Sequence, residues 1–448
     1  MARLVLACSF DGLAISPLSP YGSSWVATPT FDRLAASGAV FDRCIVPSDD
    51  PHRVLQALWN APAGSTHGLE AATAQGLQPT LITDSLSVSE LPEADRFAEV
   101  CFVETPANAA PCDEIEETVF SRLIAAVFDE LERLGDDESA FIWVHSDCLT
   151  RLWDAPHHLL PEEDLAEEFE QIEENADGVP LDLLEDDGLP KVVLPRAPKV
   201  FQTVDPPRLQ FGEGHDPDIT LAWMNNYAAQ IRLIDLLLGV LSDAVDPQGD
   251  VTFAVLGTSG FALGEHGAIG HRCGPMRSPS IQVPLMVRGR GIPTIRCRQP
   301  CSPVAAWNFL LPPSANDASG LMDLFSPAAW KAKLDEFAPC LVTTSAGGRS
   351  PSERPAEGSK PADVAEEREG AEEREGTVTS WTTPAWMSVR EVDRDGAERL
   401  ALFAKPDDRC DANNVASRLR EVVERVQQVS PSDSQATGGE TQTGGGAK

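Results

Sequence analysis

Two short polar stretches carry residue types that chemistry needs. Ser9-Phe10-Asp11-Gly12 follows an apolar run near the N-terminus, and Gly257-Thr258-Ser259-Gly260 follows a second one at 251–256. The latter leads on into Leu263-Gly264-Glu265-His266-Gly267. A carboxylate, two hydroxyls and an imidazole can hold a cation, orient a water or hydrogen-bond an anion. In an open α/β sheet, loops of this kind meet beyond the carboxyl ends of the strands, where ligands gather. The pattern therefore points to a site at the sheet edge and leaves the reaction type open. Ten cysteines, at 8, 44, 101, 112, 148, 273, 297, 301, 340 and 410, contain no C-x-x-C pair. Cys297 and Cys301 are the nearest two; without a second pair or suitably spaced histidines they do not make a zinc site. The cysteines read as reduced packing thiols, and the first residues lack a long apolar h-region and a cleavage site. The expected setting is the cytoplasm.

The elements that must position these residues alternate. Short apolar runs at 3–9, 79–83, 97–103, 141–144, 251–256 and 283–287 read as strands, with an extended segment at 39–46. A helix after Thr28 has nearly every end signal: Thr28 at the N-cap, Pro29 at the first helical position and Gly38 beyond its end. Longer amphipathic helices are expected over 113–134 and 219–244, where Ile115, Val119, Leu123, Val127 and Leu131 form one stripe and Tyr227, Ile231, Ile234, Leu238 and Leu241 another. Strands alternating with helices argue for an α/β fold with a mostly parallel central sheet flanked by helices. The expected organisation is one α/β domain over 1–343, a disordered linker over 344–376, a small C-terminal α+β subdomain over 377–429 and a disordered tail over 430–448. In the subdomain, strands are expected at 386–389 and 400–404 and a helix at 414–428.

Charge narrows the partners. The 448 residues carry 35 Lys+Arg against 70 Asp+Glu, a formal net charge of −35. A phosphate lattice or an anionic membrane would repel such a surface, so neither nucleic acid nor membrane is expected as partner. No apolar run approaches the about 20 residues that a membrane helix needs. The acidic run at 162–187 holds 13 acids and no Lys or Arg. It reads as a solvated, self-repelling insert, with a basic protein surface as the alternative partner.

The order of segments resembles the sulfatase family of the alkaline-phosphatase superfamily. The likeness rests on Asp11 after strand one, Pro20-Tyr21-Gly22, and the stretch Ala27-Thr28-Pro29-Thr30-Phe31-Asp32-Arg33-Leu34 with Gly38-Ala39-Val40-Phe41. It continues through Phe141-Ile142-Trp143-Val144-His145, Asp154-Ala155-Pro156, Tyr227 to Asp235, Leu263-Gly264-Glu265-His266-Gly267 and Val283-Pro284-Leu285-Met286-Val287. Near the end, Leu402-Phe403-Ala404-Lys405-Pro406 and Asn413-Asn414-Val415 resemble the family's C-terminal subdomain. The resemblance implies hydrolysis of sulfate esters by a formylglycine made from Cys or Ser in C/S-x-P-S/A-R. A divalent cation, usually calcium, would neutralise the sulfate oxygens.

The site positions depart from that pattern. Asp11 matches the first metal-binding Asp, but Gly12 stands where many members have a second. The later Asp-His or Asp-Asn pair falls on Thr258 and Ser259. Hard cations want carboxylates, so no cofactor is expected, and calcium only if the site is active after all. Matching Pro51 and Arg53 to the motif's Pro and Arg puts Asp49 at the nucleophile, and a carboxylate cannot become formylglycine. Cys44 is a near miss, with one residue too many before Pro47 and no Arg after Ser48. The family's Lys corresponds to His271, next to Arg272.

Each residue also has a plainer reading. Asp11 can cap a strand end, and His145 can be a hydrogen-bonded core histidine. Glu265 and His266 can stabilise their loop, and Asp49 with Asp50 can be a solvated pair. His271 and Arg272 make either an anion-attracting spot or ordinary surface charge. Three functions follow: a catalytically inactive protein on the sulfatase scaffold, which is the favoured reading; a sulfate or phosphate ester hydrolase with a rewired site; or an interaction protein acting through the acidic insert.

Overall fold

The computed structural model describes residues 3–63, 66–105, 110–135, 138–161, 199–212, 215–245, 250–311, 336–337, 339–345, 376–393 and 395–429. The acidic run at 162–187, nearly all of the linker and the tail at 430–448 lie outside the described residues.

The strands of the two larger sheets are numbered in chain order. The central sheet contains β1 (Arg3–Phe10), β2 (Ala39–Phe41), β3 (Gln78–Thr83), β4 (Glu99–Phe102), β5 (Ala140–Ser146), β6 (Asp250–Gly257), β7 (Leu285–Gly289) and β8 (Ile295–Cys297), in the spatial order β8-β2-β7-β6-β1-β5-β3-β4. The neighbours from β6 to β4 all pair parallel, and β7 is antiparallel to both β6 and β2. Seven strands thus share one direction. Apart from Arg3, β1 is buried along its whole length, which explains a run of apolar residues without polar alternation. Val5 and Ala7 enter one apolar cluster and Leu4, Leu6 and Cys8 the other, as alternate residues of a sheet covered on both faces must.

Long helices cover the sheet: α1 (Pro29–Ser37), α2 (Pro51–Asn60), α3 (Val119–Arg133) and α4 (Pro217–Val245). Two of their starts differ from the sequence expectation. The Thr28 side chain makes no cap bond to α1; its hydroxyl accepts from Ser19 N at 3.0 Å. The buried Asp235 of α4 caps α1 instead, accepting from Thr30 N at 3.0 Å and Phe31 N at 2.9 Å. The helix expected from 113 begins at Val119. Thr118 is extended there and accepts from Ser121 N, while Asp154 takes the Val119 amide at 2.8 Å.

The C-terminal sheet is four antiparallel strands, β9 (Leu341–Ser345), β10 (Thr377–Thr382), β11 (Trp386–Val392) and β12 (Glu398–Ala404), followed by α5 (Arg420–Gln428). The boundary placed at 343 falls inside β9, and β9 and β10 are strands that the sequence reading did not contain. The helix expected from 414 starts at Arg420. Asn414 is spent in a turn, its side-chain oxygen accepting from Leu402 N and Ala416 N. Val378, Met387, Val389, Ala401 and Phe403 join the apolar cluster of Ile45, Val46 and Val283, so one face of this sheet packs on the large domain.

Candidate functional site

Because β1, β3, β5 and β6 run parallel, the residues that follow them share one edge: Asp11, Asp84, Asp147 and Thr258. At the centre, Asp11 is buried, its amide donates to Ser146 O at 3.0 Å, and its carboxylate accepts from the Thr258 hydroxyl. The Thr258 amide donates to Phe10 O at 2.9 Å. Beside them, Gly12 N donates to the Ser259 hydroxyl at 2.8 Å. Gly12 has φ 75, and a Cβ there would lie 2.6 Å from the Thr150 side chain. A side chain at this position would be strained by the positive φ and would have to displace the Thr150 methyl group.

His145, at the end of β5, is fully buried and lies between Ser9, at 3.0 Å from Nδ1, and Asp11, at 3.7 Å from Nε2. Burial pushes its pKa down to about 3, so the ring is neutral near pH 7. Burial has the opposite sign for a carboxyl: it holds Asp11 well above its ordinary value, helped by the neighbouring Asp147, Asp50 and Asp84 and opposed by the Thr258 bond.

A second cluster adjoins the first. Asp84 accepts from the Ser146 hydroxyl at 2.8 Å and from Asp147 N at 3.2 Å, with Arg151 at 3.7 Å. Burial and the charge of Asp147 raise it to about 7. Arg151 binds Asp147 at 2.6 Å. The sequence reading passed over Asp84; the available signal was a Thr-Asp-Ser step at the end of an apolar strand.

Asp49 and Asp50 are not the solvated pair expected. Asp49 is buried, accepts from the Ser345 hydroxyl at 2.7 Å and lies 3.9 Å from Arg272 Nε. The cover is β9: Thr344 N donates to Pro47 O and the Thr343 hydroxyl to Val46 O. Asp50 caps α2, accepting from His52 N at 3.0 Å. Arg53 turns away, half exposed and 3.9 Å from Asp50. His271 is buried, which excludes the surface-charge reading for it, and its Nε2 has no hydrogen-bond partner among the described residues. Burial, then Arg208, Arg272 and His52, hold this imidazole neutral. Glu265 accepts from Leu263 N and His266 meets Cys410 O at 2.6 Å, both contacts that brace the loop.

Asp11, Gly12, Thr258 and Ser259 thus form one bonded group, with His145 Nε2 3.7 Å from Asp11. Asp49, Arg272 and Ser345 form another, and Arg53 joins neither. Calcium takes six to eight oxygen ligands with carboxylates prominent among them. Here the Asp11 carboxylate is bonded to the Thr258 hydroxyl, and the Ser259 hydroxyl beside it is engaged with Gly12 N. Among the described residues, no three His, Cys, Asp or Glu side chains gather as a metal site would. The donor set does not fit that cation.

No protein-family model and no curated protein matches the chain. Solved structures do. A protein solved with its substrate D-glucosamine-2-N,6-O-disulfate superposes with TM-score 0.61 at 13% identity, covering 95% of this chain and 97% of its own. The fold is that of the sulfatases. The same fold accounts for the likeness to a phosphonate monoester hydrolase of Agrobacterium radiobacter, with TM-score 0.61, 15% identity and coverage of 95% and 94%. A putative sulfatase from Bacteroides thetaiotaomicron superposes with TM-score 0.56 at 13% identity, covering 95% and 90%.

Proposed function

We propose that this chain is a sulfatase-fold protein that does not turn over sulfate esters and uses the scaffold for binding or regulation. The observation that carries the reading is the state of Asp11. Its carboxylate is bonded to the Thr258 hydroxyl, with Ser259 on Gly12 N beside it, where a cation would need further carboxylates. Attack at sulfur also needs a strong nucleophile, and Asp49 is engaged with Ser345. Asp50 and Asp147 beside Asp11 would repel an anionic ester, with Arg151 bound to Asp147 and Arg53 and Arg272 each 3.9 Å from a carboxylate of the Asp49–Asp50 pair.

A rewired ester hydrolase is the second reading. It is favoured by His145 Nε2, a buried imidazole nitrogen 3.7 Å from Asp11 and without a hydrogen-bond partner among the described residues. The deciding assay offers an aryl sulfate and an aryl phosphate to the protein, with and without calcium, manganese or zinc. No turnover in any condition and no shift of Tm with calcium is the expected result. Metal-dependent turnover that is lost in Asp11→Ala would establish the rewired hydrolase; loss in Cys44→Ala instead would revive the shifted motif at Cys44.

A further inference from the structure

Cys44 and Cys301 face each other in an isolated parallel bridge. Ile45 N donates to Cys301 O at 2.8 Å and Cys301 N to Arg43 O at 3.0 Å, which holds the two backbones in register. Opposed residues on adjacent extended chains lie about 4.8 Å apart and send their side chains to the same face. That spacing falls inside the roughly 4.4–6.8 Å between Cα atoms that a disulfide spans. The neighbouring Cys44 thiol and burial hold Cys301 well above the ordinary thiol range. Cys44 is fully buried and Cys301 is half-buried as a residue. Cys297 is the competing neighbour, but its backbone pairs with Phe41 and its thiol turns toward Gln299 O at 3.9 Å.

We propose that Cys44 and Cys301 form a reversible redox pair, a dithiol in the state described and a disulfide once a small-molecule disulfide oxidises it. The Cys301 thiolate attacks one sulfur of the oxidant, breaking its S–S bond and releasing a first small thiol, which takes up the proton that Cys301 lost. The Cys44 thiolate then attacks the Cys301 sulfur of the mixed disulfide and displaces the second small thiol, which is protonated in turn. Two protein thiols are oxidised and one small disulfide is reduced to two thiols. Since the thiolate is the attacking species, oxidation is slow near neutral pH and faster in alkali.

The bond would act on the site segment. Cys44 begins the stretch that runs through Val46 and Pro47 to Asp49 and the Asp50 cap of α2. Val46 N is bonded to Ile281 O and Pro47 O to Thr344 N, so a covalent tie at Cys44 fixes one end of a segment already pinned along its length. Closing a loop between such distant positions also restricts the unfolded chain, which raises the temperature of unfolding.

The test treats the full-length protein with oxidised glutathione in mild alkali, blocks free thiols by alkylation and maps peptides without reduction. Glutathionylation of the exposed Cys410 reports that the oxidant has acted. The expected product is a Cys44–Cys301 cross-linked peptide lighter by two hydrogens, with Tm higher by several degrees, both reversed by dithiothreitol. Cys301→Ser abolishes both effects and Cys297→Ser keeps both. A Cys297–Cys301 link, a mixed disulfide at Cys301 that never resolves, or no cross-link after Cys410 has reacted would each overturn the proposal.

Discussion

Thr258 and Asp11 show how one pair of side chains decides what a sheet edge can bind. A hydroxyl donating to a buried carboxylate satisfies it locally, and burial raises the carboxyl above its ordinary value, so the ionised form is costly in the fold. A raised carboxyl binds protons more readily folded than unfolded. Its contribution is therefore favourable at low pH and is lost as pH rises from the unfolded value through the folded one. Asp11→Asn keeps an acceptor for Thr258 and removes the charge. It is expected to raise Tm at pH 8, with the gain shrinking as pH falls toward 4; thermal unfolding across that range checks it, and a large loss of Tm at pH 8 would instead mark a carboxylate that must be ionised. His145 works with the opposite sign. Its pKa is lowered from 6.5 to about 3, so the unfolded chain takes up a proton that the fold refuses, and stability falls as pH drops from 6.5 toward 3. His145→Gln is expected to flatten that acid limb even if it lowers Tm at neutral pH. An unchanged slope between pH 6.5 and 4 would assign the acid limb to other groups.

Helix starts illustrate how elements borrow from one another. Thr28 is well placed in sequence to cap α1, yet the first amides of that helix are taken by Asp235, far along the chain on α4. One carboxylate thereby fastens two helices that cover the same face of the sheet. Asp235→Ala leaves two buried amides without an acceptor and is expected to cost about 1–2 kcal/mol in denaturant unfolding. Thr28→Ala, whose hydroxyl receives only Ser19, is expected to lose less. Equal losses would mean that the sequence-local cap is the one that matters. The same logic covers β9, whose Thr343, Thr344 and Ser345 supply the hydrogen bonds that bury the Asp49 loop.

For the whole chain, the net charge of −35 is the dominant electrostatic fact. Surface pairs such as Arg133 with Glu99 and Arg390 with Glu398 are exposed on both sides, and pairs of that kind contribute about 0–1 kcal/mol each. General repulsion among the excess acids acts on the compact state more than on the expanded one. Raising salt from about 0.1 M to about 1 M shortens the screening length from about 10 Å to about 3 Å. Tm is expected to rise with sodium chloride over that range. A fall would show that the ion pairs outweigh the repulsion. No helix among the described residues is long and apolar enough to cross a membrane.

The alternation of apolar runs and amphipathic stretches was enough to specify a mostly parallel sheet, because each strand buried on both faces must be apolar throughout and each covering helix must carry a stripe. The meeting of Asp11 with Thr258 and Ser259 was legible for the same reason: parallel strands put their following residues on one edge. Burial at the site was not legible. Asp49 looks solvated beside Asp50 and Pro51 because nothing local says that Ser345, nearly three hundred residues later, will lie over it. Asp84 looks like a turn residue until the neighbouring strand brings Ser146, Asp147 and Arg151 to it. His271 beside Arg272 reads either as an anion-attracting spot or as surface charge, but tertiary packing removes its water and with it the proton. Local patterning sets which residues can form strands, helices and turns; desolvation and hydrogen-bond partners depend on segments distant in sequence, and those alone decide the protonation and reach of a side chain.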